Sequence, residues 1–429
     1  MEFELGRDAF ADAVAWTARG LPARPVVPVT AGLMLEVSDG ALTVSGFDFE
    51  VLNRIEVPVT DKSAGRVLVS GRLLAEIARA LPPRDVRVAV EGNRLSVRCG
   101  SARFNLPLLQ VEDYPVVPEL PATSGTLRGD VFATAVSQVT AAASRDETLP
   151  MLTGVRVEIG SDRLTFAATD RYRLAERSVP WTPVDPRFMA PPEPEDADHV
   201  PDAGELADVD ELADVDELAD ADDAPDTDDA PDTDDAEVAA PAIIVPAKTL
   251  AEAAKSLASA SEVTLSLGDS DAGFLGFSAA GRQTLTRLLD GEFVKFASLW
   301  PTEVSTTAQV EVGPFMEAVK RVSLVAQRFA PIRLAFTESS VQLSAEAEDE
   351  SSAEEELEVG LTGEPLTIGF NAGYLLDGLA GLTTPQAILS FTTSTRPCVI
   401  TPVTGLEGDK PDDGEASYRY LVMSMRLRG

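Results

Sequence analysis

The stretch Asp8-Ala9-Phe10-Ala11-Asp12-Ala13-Val14 places Phe, Ala and Val at positions i, i+3 and i+4, the signature of one apolar helix face. The phrase returns as Asp130-Val131-Phe132-Ala133-Thr134-Ala135-Val136 and as Gly313-Pro314-Phe315-Met316-Glu317-Ala318-Val319. A single copy would be an ordinary amphipathic helix, whereas three copies imply one supersecondary plan used three times. Phe10 and Phe132 are 122 positions apart and Phe132 and Phe315 are 183 apart, an excess of 61 that predicts an insertion in the middle copy.

Working outward, other phrases recur in register. Val67-Leu68-Val69-Ser70-Gly71-Arg72-Leu73-Leu74 is a short apolar strand running into a helix. Ile243-Ile244-Val245-Pro246-Ala247-Lys248-Thr249-Leu250 and Leu366-Thr367-Ile368-Gly369-Phe370-Asn371-Ala372-Gly373-Tyr374-Leu375-Leu376-Asp377 repeat it. Between the helices lie runs of period two, such as Ala41-Leu42-Thr43-Val44, Arg163-Leu164-Thr165-Phe166 and Val341-Gln342-Leu343-Ser344, which read as antiparallel strands. The expected fold class is α+β: three similar blocks at 1–125, 126–304 and 305–429, each with two helices on one face of antiparallel sheet.

The insertion is visible as a change of composition from about Pro183 to Pro241, with tandem hexads beginning at Glu205 and at Asp223. Its stretch from 190 to 240 holds 22 acidic residues and no Lys or Arg. Such a segment cannot bury enough apolar surface to offset ordering entropy, so composition predicts disorder. The whole chain has a net charge of −36, of which about −14 belongs to the remainder, arguing against a generally basic binding surface.

Several chemistries are excluded by absence of parts. The one histidine, His199, lies in the acidic tract, which removes Ser-His-Asp and Cys-His arrangements and two-histidine metal sites. Phosphate-binding glycine loops are missing, so neither an enzyme nor a cofactor is expected. Cys99 and Cys398 stand far apart, consistent with a reducing cytoplasm. No apolar run approaches a membrane span.

Three segments then resemble the bacterial sliding clamp family, the β subunits of DNA polymerase III. These are Ala168-Thr169-Asp170-Arg171-Tyr172-Arg173-Leu174-Ala175, Leu288-Leu289-Asp290-Gly291-Glu292-Phe293, and the C-terminal Tyr420-Leu421-Val422-Met423-Ser424-Met425-Arg426-Leu427. The resemblance covers the chain apart from the acidic tract. It implies a head-to-tail dimer closing into a six-domain ring around double-stranded DNA, a processivity factor that tethers the replicative polymerase, the clamp loader and other clamp-motif proteins. A partner-peptide pocket is implied at Leu152, Thr169, Arg171, Tyr172, Arg173, Leu174, Pro246, Leu250, Leu421, Met423 and Met425. The resemblance further implies DNA-facing cations at Arg24, Arg72, Arg79, Arg145, Lys248, Lys320 and Arg321, and a dimer interface at Phe104 and Leu324.

Three features depart from the family pattern. Ser424 and Val294 stand where the family has proline, Arg428-Gly429 extend the terminus, and the loop from Glu346 to Glu356 is unusually acidic. An acidic partner-binding scaffold of clamp ancestry, or a second, inhibitor-tolerant clamp, is the alternative reading. A flexible tract of this length reaches about 40 Å by the square-root rule, far enough to act as a tethered polyanion. If it competes for the pocket, deleting residues 193–237 raises partner-peptide affinity in low salt, and unchanged affinity contradicts the competition.

Overall fold

The computed structural model describes residues 1–189, 241–268, 273–327, 330–347, 351–404 and 418–427. The acidic hexads, His199, Arg328, part of the Glu346–Glu356 loop and Arg428-Gly429 lie outside the described residues. Each block carries the two expected helices: α1 Arg7–Arg19 and α2 Gly71–Ala80, α3 Gly129–Thr140 and α4 Ala247–Leu257, α5 Val312–Ser323 and α6 Ala372–Ala380. Phe10, Phe132 and Phe315 are all buried, each with its following Ala and Val. The repeated phrase therefore fastens the first helix of every block to its sheet. The second block extends past the expected start of the insertion. Thr182–Pro183 pairs with Gly125 and Thr126, and Phe188 is buried beside Trp181.

The strands are not confined to one sheet per block. A 14-stranded sheet runs through the first and second blocks, a nine-stranded sheet through the second and third, and a four-stranded sheet belongs to the third. Strand Val51–Pro58 pairs antiparallel with Arg282–Arg287, setting Asn53 opposite Thr284. Strand Arg173–Pro180 pairs likewise with Arg419–Val422, setting Leu174 opposite Leu421. Both block junctions are thus backbone ladders, which satisfy the polar groups that each block alone would leave on an edge.

Among the strands that keep an open side in the described residues, one lies in the third block and one in the first. Ser352–Glu358 pairs only with Ser340–Glu346. Ala102–Leu109 pairs along its length with Arg94–Cys99, and with Gly65–Ser70 only at Leu108 and Leu109. Among the described residues, no helix is long and apolar enough to cross a membrane.

The first junction is sealed by the segment that leads out of the first block. Tyr114 is buried among Met34, Phe47, Leu52, Leu68 and Leu285, and its hydroxyl accepts a 2.6 Å hydrogen bond from the Phe47 amide. Burial is the main cause that pushes this phenol from 10 up to about 12. Because the folded value lies above the unfolded one, its contribution is whole below pH 10 and is lost as pH rises through about 12. Tyr114→Phe should cost about 1–2 kcal/mol by leaving the Phe47 amide unpaired. It should also flatten the alkaline loss of thermal stability over that window, as followed by unfolding temperature against pH.

Candidate functional site

The candidate site is built on a tight turn at the second junction. Asp170 Oδ1 accepts hydrogen bonds from the amides of Tyr172 (3.0 Å) and Arg173 (3.1 Å). The Thr169 hydroxyl donates to the Arg173 carbonyl at 2.7 Å and accepts from the Arg171 amide at 3.1 Å. These bonds hold Arg171 at φ +78°, a left-handed conformation costly for a residue with a Cβ. The carbonyl of Tyr172 accepts from the Met423 amide (2.9 Å), and the Met425 amide donates to Gly369 (2.8 Å). The C-terminal segment is therefore stitched to the second block at one end and to the third at the other.

Side chains from both blocks meet here. Leu174, Leu421, Ala167 and Phe296 form a small buried apolar cluster, with Phe293, Trp300 and Val399 packed around it. Above it stand Tyr172, 57 % exposed, and Met423, 40 % exposed. An apolar floor with an aromatic and a flexible thioether on its rim can accept apolar side chains of more than one shape. Arg173 is buried, ion-paired with Asp170 (3.0 Å) and with Asp377 of α6, and lies 4.6 Å from the centroid of the Tyr374 ring. Tyr374 in turn stacks on Tyr172 with ring centroids 6.1 Å apart.

Of the expected pocket residues, Thr169, Arg173, Leu174 and Leu421 are buried beneath the rim, Pro246 and Met425 are half-buried, and Arg171 is exposed. Leu250 does not line a surface. It lies in the buried stripe of α4 with Ala247, Ala253, Ala254 and Leu257, because its position on the helix turns it into the core of the second block. Leu152 is also buried, its carbonyl accepting from the Ser144 amide at 2.8 Å. Tyr374, Asp377, Phe296 and Trp300 were missing from the expected set. For the α6 pair, the i, i+3 spacing of an aromatic and a carboxylate was the available signal.

The expected DNA-facing cations do not form one group. Arg145 and Lys248 line a cavity of about 590 Å³ together with Pro246, Glu147 and Asp377. Arg24, Arg72 and Arg79 are exposed, and Arg72 donates to the Pro22 carbonyl (3.0 Å) in the loop that carries Arg24. Lys320 and Arg321 already hold carboxylates: Lys320 is 2.8 Å from Glu317, and Arg321 Nε donates to Glu355 at 3.0 Å. The bond to Arg321 lowers the Glu355 carboxyl below its ordinary value. Phe104 packs partly on the core of the first block, while Leu324 is 84 % exposed. No cluster of three or more potential metal ligands occurs among the described residues.

Comparison with known proteins covers nearly the whole chain. Residues 1–118 match the N-terminal domain model of the DNA polymerase III β subunit, 126–190 with 232–295 the central domain, and 297–408 the C-terminal domain. The β sliding clamp of Streptomyces coelicolor is 43 % identical over 433 residues, covering all of both chains. That of Micrococcus luteus is 40 % identical over 355 residues, covering 83 % of this chain and 98 % of its own. The crystal structure of the Bacillus subtilis sliding clamp superposes with a TM-score of 0.79 at 23 % identity, covering both chains fully.

Proposed function

The chain belongs to the DNA polymerase III β subunit family of sliding clamps, and on that premise we propose that two copies close head to tail into a ring through two of the open strands, Ser352–Glu358 and Ala102–Leu109. It is a processivity factor, an accessory subunit without chemistry of its own, and its place of work is the cytoplasm. The observation that carries the closure is the strand bookkeeping. At both internal junctions the third strand after one block's first helix pairs with the third strand after the next block's second helix. The strands left over by that rule are Ser352–Glu358 in the third block and Ala102–Leu109 in the first.

Their charges are complementary. Glu354, Glu356 and Glu358 alternate along the exposed side of Ser352–Glu358. Opposite, Arg103 is exposed, beside Arg98, which is paired with Glu91 of its own block. A row of carboxylates also prevents two copies of the same edge from pairing with each other. The helices follow the same rule. α1 lies beside α4, and α3 beside α6, so α5 with Leu324 would lie beside a partner's α2, where Leu73 is 43 % exposed.

In such a ring the cations Arg24, Arg72, Arg79, Arg145 and Lys248 face duplex DNA without reading its sequence. The rim of Tyr172, Met423 and Met425 over Leu174 and Leu421 takes the apolar anchors of partner peptides. Enclosure then turns the partner's search for DNA into an intramolecular event. Lys320 and Arg321, expected beside the same DNA, are exposed and paired with Glu317 and Glu355.

Two measurements test this reading. The 45.5 kDa chain should run as a dimer, and Leu324→Glu or Leu73→Glu should convert it to folded monomers. A monomeric native chain, or a Leu324→Glu variant of unchanged mass, contradicts the closure. Tyr172→Ala and Met423→Ala should each weaken binding of a peptide with leucine and phenylalanine anchors by roughly tenfold, the scale of an exposed anchor contact. Undiminished affinity in both removes the pocket.

A further inference from the structure

The two internal junctions repeat one backbone and differ in what fills it. Asp48 Oδ1 accepts from the Glu50 (3.1 Å) and Val51 (2.8 Å) amides, as Asp170 does from Tyr172 and Arg173. Phe49 and Arg171 share the left-handed conformation, at φ +79° and +78°. The Glu50 carbonyl accepts from the Arg287 amide at 2.8 Å, as the Tyr172 carbonyl does from Met423 at 2.9 Å. Features required by the shared fold should therefore occur at both places, and features of one place alone need another reason.

Four side chains separate them. Val51 stands where the second junction has Arg173, Thr249 where it has Tyr374, Glu252 where it has Asp377, and Thr284 where it has Tyr420. At the first junction Val51, Thr249, Glu252 and Thr284 line an open cleft of about 480 Å³. At the second the larger groups close on one another. Arg173 is held by Asp170 and Asp377, its guanidinium covers the Tyr374 ring, and the Tyr420 hydroxyl donates to the Tyr374 carbonyl at 2.9 Å. The chain of contacts ends at the solvent on Tyr172, stacked against Tyr374 at an interplanar angle of 20°.

The fold does not need this lock, since the first junction folds without it. We propose that Asp377 is a positioning residue for the peptide site: from the third block it holds Arg173, thereby fixing Tyr374 and the Tyr172 ring that an incoming peptide meets. This role rests on the pocket reading above. Asp377 acts on the peptide through the aromatic pair. Its loss leaves Arg173 paired with Asp170, so the ladder between the blocks stays intact.

The test is a double-mutant cycle on the full-length dimer, read as affinity for a fluorescent peptide with leucine and phenylalanine anchors. Asp377→Ala should weaken binding by roughly five- to twentyfold, within the range for groups of one network, and should add little in a Tyr172→Ala background. A purely structural role predicts full multiplication of the two effects in the double variant. That result, or wild-type affinity in Asp377→Ala, overturns the proposal. If Asp377→Ala does not fold, Asp377→Asn, which keeps an acceptor for Arg173, is put through the same cycle and judged by the same non-additivity. A Tyr172→Ala variant of undiminished affinity overturns the pocket reading and this role with it. A Tyr172→Ala loss beside an unaffected Asp377→Ala overturns this role alone.

Discussion

A β-strand at the margin of a sheet carries a row of amides and carbonyls that must find partners, and the architecture of this protein follows from how those edges are matched. Each internal junction joins an edge of one block to an edge of the next. Asn53 opposite Thr284 joins the first block to the second, and Leu174 opposite Leu421 joins the second to the third. The helices are placed by the same ladders, because each packs on strands whose position they set. The glutamate-rich strand Ser352–Glu358 and the strand Ala102–Leu109 are what the same rule leaves over in the third and first blocks.

The proposed peptide site is a by-product of the same ladder. The strand that closes the second junction is the chain's C-terminal segment, and it continues past the ladder as Met423 and Met425. Its side chains therefore end on a surface made by two blocks, above an apolar floor to which both contribute. Where the first junction leaves a polar cleft lined by Trp16, Glu252 and Arg282, the second is filled by Arg173, Tyr374 and Tyr420. One backbone plan thus yields a plain joint in one place and a rigid binding rim in the other.

Much of this was legible in the residues. The Phe-x-x-Ala-Val phrases marked α1, α3 and α5, because a helix that packs on a sheet must repeat its apolar residues at 3.6 positions. The motif around Asp170 located the turn that carries the site. What stayed hidden depends on contacts between distant residues: the Asn53–Thr284 hydrogen bond spans 231 positions, and period-two patterning says which face of a strand is apolar but not which strand lies beside it. The same blindness put Leu250 on the pocket wall, although α4 turns it inward, and omitted Asp377, whose partner Arg173 belongs to another block. Charges were countable but not their pairing, such as that of Lys320 with Glu317 and of Arg321 with Glu355.

The central claim is closure around DNA, and topology tests it most directly. The purified chain, loaded by a clamp loader onto nicked circular DNA, should remain bound through gel filtration at moderate salt and be released when the circle is cut to a linear duplex. Equal retention on circular and linear DNA, or none on either after loading, would contradict the ring.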